Sequence, residues 1–105
     1  MLPLKDDGIV VWMPWVYIVC CADNSLYVGW TNDLVTRVQM HNEGRGGRYT
    51  ANRSPVHVVY SESYDSSEAA IAREQQLKRW TTKKKQALIA GDLADLKALS
   101  KRHKK

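Results

Sequence analysis

Two runs rich in β-branched and aromatic residues, WVYIVCC (15–21) and LYVGW (26–30), stand on either side of the four residues ADNS. Val, Ile, Tyr and Trp favour extended chain and Asp-Asn-Ser supplies turn chemistry, so the pattern predicts a β-hairpin. Directly after it, Thr31 or Asn32 can cap a helix running from about Asp33 to Asn42, with Asp33 in a first turn that favours negative charge. A hairpin that leads straight into a helix confines the chain to a mixed fold in which a small sheet must be covered by helices.

The remaining pattern supplies those helices. EGRGGRYTANRSP (43–55) holds three glycines, three arginines and a proline and reads as a mobile, basic surface loop. VHVVYSESY (56–64) alternates as a third strand, with His57 facing solvent. Asp65 and Glu68 resemble a capping box that opens a helix to about Trp80. Thr81 or Thr82 caps a further helix that Gly91 stops, and Asp92 caps a last one ahead of the basic tail KRHKK, which includes His103. The expectation is an α+β fold in the order β-β-α-β-α-α-α: a three-stranded sheet, a hairpin plus a third strand, flanked by helices. Residues 1–13 read as an N-terminal extension, with Met13 a candidate second start. Residues 14–92 form the domain, and 93–105 a C-terminal helix end and basic tail.

At 105 residues and 44% hydrophobic content, the chain suits one core. With no Phe, that core must be built from Trp, Tyr, Val, Leu and Ile. Charge is uneven: residues 73–105 hold eleven Lys or Arg against three acids, whereas residues 1–72 hold five against eight. Such asymmetry points to a polyanionic partner, nucleic acid before membrane, or else to a solvated basic face. Cys20 and Cys21 are adjacent and point to opposite faces of a strand, so a disulfide between them is sterically poor, and no zinc spacing is present. A reducing cytoplasm is the expected compartment. The apolar run GIVVWMPWVYIVCC is interrupted by Pro14 and falls short of a membrane span.

Several residues allow a chemical and a structural reading side by side. Glu74 shares its helix face with Ala70, Ile71 and Leu77, all within about 60° on the helical wheel. A carboxylate there needs a cation or several donors, so it is either half of an ion pair or a ligand for a hard divalent metal. Arg37 and His41, four apart, share a helix flank and could meet one phosphate or simply lie exposed. Tyr17 and Tyr27 sit on the two hairpin strands, but the turn decides whether they face the same way. Gly29 either permits close approach of a ligand or ends its strand.

Taken together, VYI (16–18), YVG (27–29), Arg37, His41 and Glu74 resemble the GIY-YIG nuclease superfamily. The resemblance spans roughly residues 14–90 and is closest to small stand-alone bacterial members, whose run CADxSLYxGxTxDLxxRxxxHNxGxGxRYTxxRxPVxLVYxE is nearly the text of residues 21–62. It implies hydrolysis of a nucleic-acid phosphodiester with one divalent metal, Mg²⁺ or Mn²⁺. Carried over by position, one of Tyr17 and Tyr27 would deprotonate the attacking water, Arg37 would stabilise the phosphate, and Glu74 would hold the metal, with His41 in the same site. A tyrosine base starts near pKa 10 and needs a cationic neighbourhood to act near neutrality. Two positions depart from the pattern. Trp15 replaces the glycine of GIY, and Trp30 stands where the family's DNA-repair excision nucleases carry a lysine, leaving Thr31 as a polar substitute and Trp30 free to stack on an unpaired base.

The resulting expectation is an endonuclease for DNA with little sequence specificity. Gly29, Trp30 and Thr31 would line the substrate site. Arg45, Arg48, Arg53, Lys83, Lys84 and Lys85 would hold the phosphate backbone. The competing readings are a non-catalytic nucleic-acid-binding module and a nuclease subunit activated by a protein partner.

Overall fold

The computed structural model describes residues 13–102. The expected extension up to residue 12 and the end of the basic tail, 103–105, with His103, lie outside the described residues. Strand β1 (Trp15–Cys20) is the middle of a three-stranded antiparallel sheet ordered β2-β1-β3, with β2 (Leu26–Thr31) and β3 (His57–Ser63) at its edges. A middle strand has both backbone edges paired and both faces covered, which is why WVYIVC can be almost continuously apolar. Val16, Tyr17, Ile18 and Val19 are all fully buried. The hairpin turn is made by Asn24 in the left-handed region, φ 68°, and by Asp23 Oδ1, which accepts from the Ser25 amide at 3.0 Å.

Register settles what alternation left open. Tyr17 pairs with Gly29 and Val19 with Tyr27, and directly opposed residues share a face. Both tyrosines therefore look the same way, towards helix α1 (Leu34–Asn42), whose Leu34 packs on that side. Val16, Ile18 and Val28 look the other way, onto Ala70 and Leu77 of α3 (Ser67–Lys78), with Trp30, Tyr60 and Trp80 packed around them. Helices α4 (Thr82–Ala90) and α5 (Leu93–Arg102) complete the expected order, and no helix of the described residues is long and apolar enough to cross a membrane.

Cap positions differ by a residue or two from the sequence reading. Thr31 is still the last residue of β2, and its hydroxyl accepts from the Asp33 amide at 3.1 Å, so Asp33 itself caps α1 by accepting from the Thr36 amide at 3.2 Å. Ser66, not Asp65, caps α3 through the Ala69 amide at 3.1 Å. Thr81 and Asp92 cap α4 and α5 as expected.

The basic segment 43–55 is not loop throughout. It contains a short helix, α2 (Arg48–Ala51), and is clasped at its ends by the Asn42 side-chain amide. Asn42 Oδ1 accepts from the Val56 amide at 2.6 Å, and Asn42 Nδ2 donates to the Val56 carbonyl at 3.1 Å. The Ala22 amide donates to the Arg53 carbonyl at 2.9 Å, and Arg53 Nε to Asp23 at 3.1 Å, which ties the segment to the hairpin turn. On the far edge, Glu62 of β3 takes Arg73 Nε and Nη2, both at 3.0 Å, and the Tyr60 and Tyr64 hydroxyls. Burial alone would raise this carboxyl, but the four hydrogen bonds outweigh it and hold it below its ordinary range.

Candidate active site

Tyr27 is the hub of the candidate site. Its ring lies edge-on to His41, with centroids 5.3 Å apart, and stacks on Tyr49 of α2 at 5.7 Å and 28°. From the other side Lys78, at the end of α3, brings its ammonium to 5.9 Å from the same ring. That ammonium also pairs with Glu74 Oε2 at 3.1 Å. Strand β2 is an edge strand, so side chains from α1 and α2 and from the far-face helix α3 meet around its open border.

Behind Tyr27 runs a buried chain of hydrogen bonds. The Tyr17 hydroxyl is 2.8 Å from His41 Nε2, and His41 Nδ1 is 2.7 Å from the Thr50 hydroxyl. Tyr17, His41 and Thr50 are each 0% exposed. Two glycines make this possible. A Cβ on Gly29 would lie 2.4 Å from Tyr17 Oη, and one on Gly46 would lie 2.1 Å from His41 Nδ1. Tyr17 thus lies across its strand partner, and the loop backbone at Gly46 closes over the imidazole. Gly29 serves the protein's own tyrosine, and it sits within β2 instead of ending it.

Electrostatics follow from this burial. Desolvation, reinforced by Tyr27, pushes Tyr17 up to about 12 despite the nearby Arg37 guanidinium. Desolvation, aided by Arg37, lowers His41, so its imidazole is held neutral. Burial thus works against ionisation of Tyr17. The phosphate contact expected of His41 is not open to a side chain sealed on all sides. Arg37 is close enough to act on both groups, and the Glu74 charge also reaches Tyr17.

Glu74 is the site's carboxylate, with its side chain 14% exposed. No group of three His, Cys, Asp or Glu that could hold a metal gathers among the described residues. A lone carboxylate is unsuited to an all-protein metal cage. It does suit a Mg²⁺-like ion whose remaining positions are filled by water and substrate phosphate oxygens.

The other expected contacts divide. Trp30 packs on the α3 side of the sheet, away from the tyrosines, because its register partner is Val16. Thr31 is buried and its hydroxyl is engaged with Asp33. Arg45 pairs with Glu43, Arg48 opens α2 on the exposed surface, and Arg53 lies 4.1 Å over the Tyr49 ring. Lys83, Lys84 and Lys85 are together in the first turn of α4. Sequence reasoning missed Tyr49, Thr50 and Lys78. Lys78 stood four residues after Glu74 on the same helix flank, a signal that was available; Tyr49 and Thr50 were only letters in the matched run.

A family model described as the GIY-YIG catalytic domain matches residues 13–87. The chain belongs to the GIY-YIG family. A UPF0213 protein of Staphylococcus aureus is 49% identical over 74 residues, which cover 70% of this chain and 90% of that one. The solution NMR structure of a UPF0213 protein from Bacillus halodurans matches with TM-score 0.51 and 34% identity, covering 76% of this chain and 85% of the other. That of a protein from E. faecalis matches with TM-score 0.53 and 28% identity, covering 89% and 93%. The names of these relatives state no activity. The GIY-YIG domain itself points to a nuclease, hence to nucleic acid, in a family that generally uses divalent metal ions.

Proposed function

We propose that this GIY-YIG domain is a metal-dependent endonuclease that hydrolyses phosphodiester bonds, of DNA in the first instance, with little sequence specificity. The observation that carries the reading is that Lys78 of α3 links Glu74 to Tyr27, whose ring stacks on Tyr49, at the open border of β2. Phosphoryl displacement needs stabilisation of developing charge and an aligned nucleophile. Arg37 offsets charge on the phosphate. Tyr27, open to the groove, orients the attacking water, while the buried Tyr17–His41–Thr50 chain holds the wall behind it. Glu74 would hold Mg²⁺ or Mn²⁺, which supplies Lewis-acid stabilisation when bound.

Backbone phosphates would lie along Arg45, Arg48 and Arg53 on one side and Lys83, Lys84 and Lys85 on the other, contacts that position a strand without reading its bases. Tyr49, 39% exposed and flanked by Arg53, gives an unpaired base a surface to stack on, which favours single-stranded or branched substrates. The free thiols Cys20 and Cys21 fit a reducing cytoplasm. One observation favours a form that needs activation by substrate or a protein partner. The Lys78 ammonium rests on Glu74, the carboxylate that would hold the metal.

The test is a cleavage assay with Mg²⁺ or Mn²⁺ on single-stranded, duplex and branched DNA and on RNA, with Glu74→Ala as control and a cell extract added in a parallel series. Metal-dependent cutting that Glu74→Ala abolishes is the expected result. Tight binding without cutting of any substrate, with or without extract, would end the nuclease reading.

A further inference from the structure

The candidate site uses the flank of α3 that carries Glu74 and Lys78. Just past the end of α3, at its junction with α4, lies a cleft of about 240 Å³ lined by Arg79, Trp80, Thr81 and Lys84. Trp80 is anchored against the core, and its ring carries two cations: the Lys84 ammonium at 4.1 Å and the Arg73 guanidinium at 5.2 Å. Arg73 is committed to Glu62, whereas Arg79 and Lys84 form no salt bridge among the described residues. The local charge is also unusual. Lys83, Lys84 and Lys85 occupy the first turn of α4, which has no acid, although the positive end of a helix disfavours cations there. An anion in the cleft resolves that conflict.

We infer that this cleft is a strand-binding subsite at the Lys83–Lys85 end of the phosphate path, beyond Tyr27 and Glu74, which takes one nucleotide, its phosphate between Arg79 and Lys84 and its nucleoside against Trp80. The class of partner rests on the nuclease reading; the site itself rests on the cleft. An aromatic side chain set among cations is how proteins hold single strands without reading sequence. The cleft volume is on the scale of one nucleotide and far below that of a duplex. Its location supplies the route. Lys78 and Arg79 are successive residues at the end of α3, one leaning over Tyr27 and the other lining the cleft. Positive charge therefore continues from the groove around the end of α3 to Trp80, and a strand leaving the groove meets Arg79 next.

The experiment is fluorescence anisotropy of a labelled single-stranded DNA of about 16 nucleotides, with the full chain in EDTA so that nothing is cut. The double variant Arg79→Ala/Lys84→Ala should bind about tenfold more weakly, and its salt dependence should flatten by about 0.7 for the one lost phosphate. Lys97→Ala, an exposed cation of α5, should bind as the wild type does. Thermal melting checks that the double variant folds; if it does not, Arg79→Gln and Lys84→Gln are each expected to give part of the loss. A competing deoxynucleoside monophosphate separates a strand phosphate from a free nucleotide. Unchanged strand affinity in the variants overturns the proposal, whether or not the monophosphate binds. Because the readout is binding without metal, a chain that binds but never cuts ends the nuclease reading and leaves the subsite standing.

Discussion

The Tyr17 hydroxyl and the His41 imidazole, 24 residues apart, meet at 2.8 Å with neither side chain reaching solvent. The contact joins the central strand to α1, and Thr50 extends it to the loop beyond. A buried imidazole needs partners for both nitrogens, so each member depends on the next.

Thr50→Val keeps the shape and removes the hydroxyl that His41 Nδ1 meets. Leaving one buried group unsatisfied costs about 1–3 kcal/mol. The urea midpoint should fall by that equivalent, and Thr50→Ser should restore most of it.

His41 titrates below its ordinary range because burial and Arg37 disfavour the imidazolium. As pH falls below about 6.5, the unfolded chain takes up this proton before the folded one does. Stability from this group is full above that pH and declines as pH drops towards the lower folded value. Melting curves between pH 7.5 and 5 should show a steeper fall for the wild type than for His41→Gln.

Within the proposed chemistry the two tyrosines separate by exposure. Tyr27→Phe should lower kcat by about 100-fold or more, the scale of a lost proton-handling group. Tyr17→Phe should cost less in kcat and show mainly as lost stability. Equal kcat losses at matched folded fractions would contradict this assignment.

Gly29→Ala places a methyl within 2.4 Å of Tyr17 Oη and 2.6 Å of its Cζ, so the ring must move. Overpacking of this kind costs about 1–3 kcal/mol. Denaturant unfolding should detect it.

Glu62 is depressed because Arg73 and two tyrosines outweigh its burial. Its contribution is present above the unfolded carboxylate value, about 4.3, and is lost as pH falls through the lower folded one. Glu62→Gln should remove about 1.5–3 kcal/mol at neutral pH, the scale of a hydrogen bond to a charged group. The gap from wild type should narrow in acid, which melting curves down to pH 3 would measure.

The sequence was most legible where local chemistry decides. The hairpin, the third strand, Gly91 and the Thr81 and Asp92 caps follow from residue type and spacing, and so does the burden of a carboxylate at Glu74. Less was legible where a residue's meaning depends on distant chain. Whether Tyr17 and Tyr27 face the same side is set by the register that the turn imposes. His41 looked like an exposed flank residue because nothing local announces that Gly46 will fold over it. Asp33 took the cap from Thr31 because the strand still held Thr31 in its ladder. The segment 43–55 read as loop throughout because its glycines were visible and the Asn42 clasp was not.

That clasp has an evolutionary consequence. With Asn42 gripping the Val56 backbone through both amide atoms, residues 43–55 leave and rejoin the scaffold at nearly one point, as an Ω-loop does. Closing a longer loop costs little extra chain entropy, so the exposed positions of this segment can lengthen or change while Gly46 and Thr50 keep their places on His41. Arg45 and Arg48 are therefore free to vary beside Tyr27, whereas Gly46 and Thr50 of the same segment are fixed by the buried imidazole of His41.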